Sequence, residues 1–331
     1  MARVAVVFTG GTISTAFDPA AGGNVPVLDG AAILARTPGL DAIADVVAID
    51  RGRTPASHFT FAALLDIASV LRDVLADPSI DGAVVIQGTD TIEETSFCWD
   101  LVLDGEKPVV ATGAMRASDE AGFDGPTNLR DAVRVAAAAS MRGAGVVVCL
   151  AGTIEPADDV VKMHASALDT FASPNGGSLG RVDGSEVTLF RRRAGRRHVT
   201  AARAADRVHL ITATVAMDGS LLDAAVAAGA DGIVVAATGA GNTAPALLAA
   251  AERAMAGGIP VALASRCIAG RASNAYAFPG GGATWVRAGA MPVGNLCAVK
   301  ARVALALGLG AGLDRDGLAA LLADPPADPL R

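Results

Sequence analysis

The sequence has few cysteines, histidines and aromatic residues, and it has no long apolar run. Four cysteines and four histidines stand among 331 residues, and neither type shows a CxxC, HxH or HExxH spacing. We therefore expect no disulfide and no metal site. No window of about 20 residues lacks charged residues or helix breakers, so we expect no membrane span. With 52% apolar and 18% charged residues, the chain is typical of a globular protein of about two domains.

Positive charge is also scarce, apart from one cluster. The formal net charge of −7 disfavours binding to a phosphate backbone, so we expect no nucleic-acid partner. Five arginines lie within seven residues, namely Arg191, Arg192, Arg193, Arg196 and Arg197. We interpret this arginine cluster as a solvated hairpin or linker, with a nucleic-acid patch as the alternative.

Short Val- and Ile-rich runs alternate with Ala- and Leu-rich amphipathic stretches. This alternation predicts an α/β fold whose N-terminal domain has a doubly wound, mainly parallel sheet. The predicted strands span residues 4–8, 82–86, 108–111, 145–150, 208–212, 232–236 and 261–265. The rhythm breaks between 184 and 205, which predicts an N-terminal domain over 1–190, a linker over 191–207 and a second, smaller α/β domain over 208–331. The first strand enters a glycine turn without a signal-peptide cleavage site, which favours a cytoplasmic location.

Small-residue turns follow several predicted strands, and ligands of open α/β sheets bind at such strand ends. The first turn is Thr9-Gly10-Gly11-Thr12-Ile13-Ser14, which is either a plain tight turn or a phosphate cradle. The second is Gly88-Thr89-Asp90-Thr91, followed by Ile92-Glu93-Glu94. Thr91 and Glu94 fit a capping box, so we expect a helix to begin there, with Thr89 and Asp90 in the preceding turn.

Two further motifs follow these turns. The stretch 112–116 reads TGAMR, and DGPTNL follows at 124–129. Lys162 is one of only three lysines beside 24 arginines, and it lies in the apolar stretch 160–164. Lysine can lose its proton at a working pH and arginine cannot, which draws attention to Lys162. The alternative is a surface lysine whose stem covers apolar neighbours.

In order and spacing, these motifs resemble the bacterial-type L-asparaginases and glutaminase-asparaginases. The resemblance covers TGGTIS, GTDTIEET, PVVATGAMR, DGPTNL and Lys162, and it continues at 239–242 and 300–302. It implies a homotetramer or homodimer that hydrolyses L-asparagine, with L-glutamine as a second candidate substrate, to the amino acid and ammonia through an acyl-enzyme. It implies no metal or organic cofactor.

The resemblance also implies roles for individual residues. Thr12 matches the family's nucleophile, and Thr89, Asp90 and Lys162 match its second catalytic cluster. Ser57 would hold the substrate's α-carboxylate, and Asp90 would also receive its α-ammonium. The remaining residues that we expect to contact substrate are Gly11, Gly88, Ala114 and Asn242, the last across a subunit contact.

The role of Lys162 stays open at the sequence level. A neutral lysine could accept a proton from a threonine hydroxyl, but the pKa of a lysine would have to fall by about 3 units, which costs about 4 kcal/mol. A nearby Asp90 opposes that fall. The alternative is a charged lysine that orients Thr89 and stabilises negative charge.

The sequence departs from the family pattern at three places. The segment 16–28 lacks the tyrosine that usually activates the first threonine, and 267–284 lacks the acid that a neighbouring subunit usually supplies. Tyr276 is the only tyrosine, and we hypothesise that it substitutes for one of these groups in a neighbouring subunit's site. Gln87 stands where histidine is common, and we expect it to lie behind the substrate-contacting residues.

Other features of the sequence suggest different functions. The stretch 239–244 fits GxGxxA, which suggests a nucleotide-dependent oxidoreductase, but no acid ends the following strand. The stretch 176–180 fits GxSxG, yet Ser-Pro-Asn precedes it, so we interpret it as a loop rather than a nucleophile elbow. The missing tyrosine and acid leave a catalytically impaired amino-acid sensor as the other alternative.

Overall fold

A computed structural model describes residues 1–325, so the last six residues of the predicted second domain, 326–331, lie outside the described residues. The chain divides into two compact units, of which the first spans 1–196 and the second begins at Arg197. The division falls inside the stretch 191–207 that the sequence analysis assigned to a linker.

Unit 1 contains four helices and twelve strands, of which eight form one large sheet and the other four form two separate pairs. Its strands are β1 Arg3–Phe8, β2 Thr15–Asp18, β3 Gly23–Pro26, β4 Asp45–Asp50, β5 Gly82–Ile86, β6 Val109–Thr112, β7 Val146–Leu150, β8 Thr153–Pro156, β9 Val161–Lys162, β10 Phe171–Ala172, β11 Gly180–Asp183 and β12 Glu186–Leu189. Its helices are α1 Gly30–Ala35, α2 Phe61–Ala76, α3 Ile92–Val102 and α4 Gly125–Ala137. Three single-turn 3₁₀ helices occur at Thr12–Ser14, Ala56–His58 and Ala139–Met141.

The large sheet has the strand order β12-β11-β8-β7-β6-β5-β1-β4. The five strands from β7 to β4 are parallel, and β8, β11 and β12 add an antiparallel edge. Alternate residues of β1, β5, β6 and β7 form one apolar core with α1 and α4, while α2 and α3 pack on the same strands from the other side. Because the central strands are parallel, β1, β5 and β6 end at the same edge of the sheet. The predicted fold class is confirmed.

A hairpin follows the first glycine turn. Strands β2 and β3 pair in antiparallel fashion over 15–26. The hairpin is held against the segment after β6, because Ser118 N donates to Thr15 O at 2.8 Å and Phe17 N donates to Asp119 Oδ2 at 3.0 Å. The hairpin covers most of the segment 16–28, which lacks the tyrosine that the family pattern leads one to expect there.

Unit 2 has a four-stranded parallel sheet in the order β13-β14-β15-β16. The strands are β13 Val208–Thr212, β14 Gly232–Ala237, β15 Val261–Ser265 and β16 Met291–Pro292. The helices are α5 Ser220–Ala227, α6 Pro245–Ala256, α7 Gly282–Ala288, α8 Ala298–Gly310 and α9 Arg315–Leu322. Among residues 1–325, no helix has the length and apolar character needed to cross a membrane.

The arginine cluster differs from the expected solvated linker. Arg193 and Arg197 are buried. Arg193 forms ion pairs with Asp100 at 2.7 Å and Asp158 at 2.9 Å, and Arg196 approaches the same Asp100 at 3.1 Å. Arginine side chains are buried when carboxylates compensate their lost hydration. The expectation was wrong because the sequence pattern does not reveal these distant acidic partners.

Asp100 lies on α3 and is almost completely buried in this ion cluster. Burial by itself would raise the pKa of Asp100, but the neighbouring Arg193 and Arg196 guanidinium groups outweigh it and hold the pKa below its usual value. A carboxylate with a lowered pKa stabilises the folded state above about pH 4, and that contribution is lost as the pH falls through the lowered pKa.

We therefore predict that Asp100→Asn lowers the free energy of unfolding at neutral pH by about 3 to 5 kcal/mol, because it leaves buried arginines uncompensated. The difference from the wild type should shrink below about pH 4. Urea unfolding at neutral and acidic pH measures both quantities. Asp66→Asn removes the carboxylate from an exposed ion pair with Arg51 and should cost less than about 1 kcal/mol. Equal losses in the two variants would contradict the prediction.

Candidate active site

The turns after β1 and β5 are in direct backbone contact. Gly10 and Gly11 have φ angles of +109° and +93°. A Cβ atom at Gly11 would come within 2.2 Å of the main-chain nitrogen of Gly88, and a Cβ at Gly88 would lie 2.8 Å from that of Ala56. Only glycine combines such φ angles with so close an approach. Thr12 and Thr89 each follow one of these contacting glycines, so the contact brings their two turns together.

The Ser57 loop, which spans residues 51–60 between β4 and α2, lies at the same edge of the sheet. Thr54 N donates to Thr9 O at 2.7 Å, which ties this loop to the first turn. The Thr91 hydroxyl donates to Ala56 O at 3.1 Å, which ties it to the second. Ser57 follows in a single 3₁₀ turn and is exposed. The loop thus presents a solvent-accessible hydroxyl beside the two turns.

The predicted capping box at the start of α3 is only half correct. Thr91 does precede the helix, as predicted, and α3 begins at Ile92. Its hydroxyl, however, donates to Ala56 O instead of accepting from the helix. The tertiary contact with the Ser57 loop has replaced the local cap.

Lys162 connects the second turn to a segment outside the main sheet. It lies on β9, which pairs with β10 in a separate two-stranded sheet. Its Nζ donates to Thr89 Oγ1 at 2.9 Å and to Asp90 Oδ1 at 2.8 Å. The Lys162 side chain is 13% exposed and that of Asp90 is 75% exposed. The structure therefore joins three of the predicted catalytic residues in one cluster, and Lys162 is not a solvated surface lysine.

Thr12 opens the 3₁₀ turn Thr12–Ser14 and is half-buried. The carbonyl oxygen of Thr12 accepts hydrogen bonds from the Thr15 main chain and from Thr15 Oγ1, the latter at 2.9 Å. Thr89, by contrast, is buried. The two threonines thus differ in accessibility, and Thr12 is the more exposed of the pair.

The turn after β6 adds main-chain groups and two polar residues to which the sequence analysis assigned no role. A Cβ at Gly113 would lie 2.4 Å from Gln87 O and 3.3 Å from Thr89 Cγ2. Asn128 donates to Gly113 O at 3.0 Å, and Asp124 accepts from Met115 N at 3.0 Å. Both residues belong to the motif DGPTNL, which lies at the start of α4. This motif is the feature of the sequence from which their structural role could have been predicted.

Ala114 and Gln87 are both completely buried. The Ala114 methyl group packs in the apolar core, so its side chain is not available to a ligand. The Gln87 side chain is hydrogen-bonded to Thr95 Oγ1, with contacts of 2.6 and 2.9 Å. Gln87 therefore supports α3 from within the core.

Asn242 and Tyr276 belong to unit 2. Asn242 closes a tight turn through reciprocal main-chain hydrogen bonds with Thr238 at 2.9 Å. Its Oδ1 is buried and has no hydrogen-bond partner within residues 1–325. Tyr276 is 47% exposed, and its ring lies 5.7 Å from that of Phe278. No group of three or more metal-ligating side chains occurs in the described part of the chain.

Two family models match the chain, one in each unit. The family described as "Asparaginase, N-terminal" matches residues 3–195, and "Glutaminase/Asparaginase C-terminal domain" matches residues 207–322. The chain belongs to the asparaginase family. The prediction that the chain is an enzyme of this family, an amidohydrolase, is thereby confirmed. The alternative of a nucleotide-dependent oxidoreductase is not supported.

Individual relatives of this asparaginase-family chain match it over nearly their whole length. A "Probable L-asparaginase" from Deinococcus radiodurans is 37% identical over 96% of this chain and 95% of its own length. An "L-asparaginase" from Bacillus licheniformis is 32% identical over 92% of this chain and 94% of its own length. The crystal structure of a "Probable Cytoplasmic L-asparaginase" from Campylobacter jejuni has a TM-score of 0.86 at 27% identity and covers 97% of this chain and 99% of that one.

The contact between Gly11 and Gly88 yields a stability prediction for this family member. Gly11→Ala should be severely destabilising, because the new Cβ forces two backbone turns apart. Gly52 has the same φ of +93° but nothing within 4 Å of an added Cβ, so Gly52→Ala should cost only the left-handed strain of about 1 to 2 kcal/mol. Urea unfolding of both variants measures the difference, and equal losses would show that the close approach is unimportant.

Proposed function

We propose that this protein hydrolyses the side-chain amide of L-asparagine to L-aspartate and ammonia, with Thr12 as nucleophile and an acyl-enzyme intermediate. The observation that carries the proposal is the bridge from Lys162 Nζ to Thr89 Oγ1 and Asp90 Oδ1, beside the turn that bears Thr12. The names of the relatives agree with asparagine as substrate.

The first half-reaction forms an ester with the enzyme. The Thr12 oxygen attacks the amide carbon, its proton passes to the departing nitrogen, and ammonia leaves. Amides are poor electrophiles, so the developing oxyanion needs preformed donors, each worth about 3 to 4 kcal/mol where this has been measured. Main-chain groups at Gly11, Gly88 and Ala114, on the turns after β1, β5 and β6, would supply these donors.

The second half-reaction regenerates the enzyme. A water molecule attacks the ester carbon, the carbon–oxygen bond to Thr12 breaks, and the Thr12 oxygen recovers a proton. Thr89 is held by Lys162 and can position this water or relay its proton. Because Thr89 Oγ1 accepts from Lys162, its own hydroxyl proton is available for another acceptor.

Two exposed groups would hold the amino-acid end of the substrate. Asp90 uses Oδ1 for Lys162, and its second oxygen would accept from the substrate's α-ammonium. Ser57 would donate to the α-carboxylate. Both side chains are accessible to solvent, as groups that receive a ligand must be. Asn242 would contribute from a neighbouring subunit.

Lys162 Nζ makes an ion pair with Asp90 and a hydrogen bond to Thr89. An ammonium group can donate both observed hydrogen bonds and also form the ion pair with Asp90, which a neutral amine cannot do as well. We therefore assign Lys162 to orienting Thr89 and stabilising negative charge rather than to removing a proton. We further propose that the protein is cytoplasmic and forms a homotetramer or homodimer. Light scattering of the purified protein tests the oligomeric state.

Ammonia release from L-asparagine and L-glutamine tests the function directly. We expect the purified protein to release ammonia from L-asparagine without added nucleotide. A sensor would bind L-asparagine in a calorimeter without releasing ammonia. That outcome would overturn the proposed hydrolysis.

Substitution of either threonine tests the mechanism. We predict that Thr12→Val and Thr89→Val each lower kcat for L-asparagine by several orders of magnitude with little change in Tm, because valine keeps the shape and removes the hydroxyl. Hydroxylamine should trap the acyl group as a hydroxamate with the wild type but not with Thr12→Val. Normal turnover in either variant would contradict the assignment.

Tyr276 is the remaining candidate for the missing loop tyrosine or acid. If its hydroxyl serves a neighbouring subunit's site, Tyr276→Phe should lower kcat for L-asparagine by about 10² or more, as loss of an acid–base group does. Ammonia release by the two proteins at matched subunit concentration measures the effect. An unchanged rate would remove Tyr276 from the mechanism.

A further inference from the structure

Glu93 holds the main chain of Lys162. Its Oε2 accepts from Lys162 N at 2.8 Å. The Lys162 side chain bonds to Thr89 on the same stretch of chain, four residues earlier, at 2.9 Å. Lys162 is thus attached to the beginning of α3 through both its main chain and its side chain. The two attachments form a closed ring through residues 89–93.

This ring matters because β9 does not belong to the large sheet. β9 consists of two residues, and its strand partner is the equally short β10. The sheet that fixes the glycine turns therefore does not fix the position of Lys162. A long lysine side chain has four rotatable bonds, so a displaced backbone would easily lose the short contact with Thr89 Oγ1.

The first turn of α3 is a favourable place for this carboxylate. Helix N-termini attract negative charge, and Glu93 lies in the first turn of α3. A carboxylate also accepts a stronger hydrogen bond from a main-chain N–H than a neutral group does. The start of α3 therefore anchors β9, the strand that carries Lys162.

We propose that Glu93 is a positioning residue, which sets the distance between Lys162 Nζ and Thr89 Oγ1 by holding Lys162 N. Glu93 acts through Lys162 and does not touch the substrate. The expected effect of Glu93 on catalysis rests on the proposed function, whereas its effect on the position of Lys162 does not.

A matched pair of variants tests this role. Glu93→Gln keeps an oxygen acceptor at the same reach, and Glu93→Met keeps the length without an acceptor. We expect Glu93→Met to lower kcat for L-asparagine about 100-fold, the cost of a misplacement near 1 Å, with KM changed much less. Glu93→Gln should retain most of kcat. Equal activity of the two variants would overturn the proposal.

A second measurement separates positioning from stability and from the proposed reaction. The three lysines of the chain allow acetylation of each to be followed by peptide mass spectrometry, with Lys107 as internal reference and Tm measured in parallel. Lys162 should label several-fold faster in Glu93→Met than in the wild type or Glu93→Gln. Unchanged labelling would overturn the positioning role, whereas a wild type without asparagine turnover would overturn only the proposed function.

Discussion

The close approach of Gly11 and Gly88 is the contact on which the candidate site depends. Strands β1 and β5 pair in parallel up to Phe8 and Ile86, so their turns leave the sheet side by side. Any side chain on either glycine would collide with backbone or with Ala56. The absence of two Cβ atoms therefore lets the threonines that follow share one edge of the sheet.

The charges of the site are divided between a sheltered cation and an exposed anion. Lys162 is mostly buried, while Asp90 remains largely open to solvent. Such an arrangement keeps the ammonium close to Thr89 and leaves carboxylate oxygen for a cationic ligand group. This division of charge is consistent with the free amino acid that we propose as substrate, which carries its own ammonium and carboxylate.

Structural support reaches the site from several distant segments. Asn128 and Asp124 at the start of α4 hold the turn after β6. On the far side, Asp100 near the end of α3 is bound to Arg193, which also binds Asp158 in the loop between β8 and β9. Helix α3, which follows the turn of Thr89, is thus held near its start by the hydrogen bonds of Thr91 and Glu93 and near its end by buried charge.

The sequence by itself determined the α/β class, the principal parallel strands and the motifs of Thr12, Thr89 and Lys162, because periodicity and glycine turns are local properties of the chain. Only the tertiary structure decided which polar groups meet. Local patterns could not show that Thr91 would bind Ala56 O, that Arg193 would be buried against Asp100, or that Glu93 would hold Lys162. Those contacts join residues 35 to 93 positions apart, and their energies depend on burial that exists only once the sheet has formed.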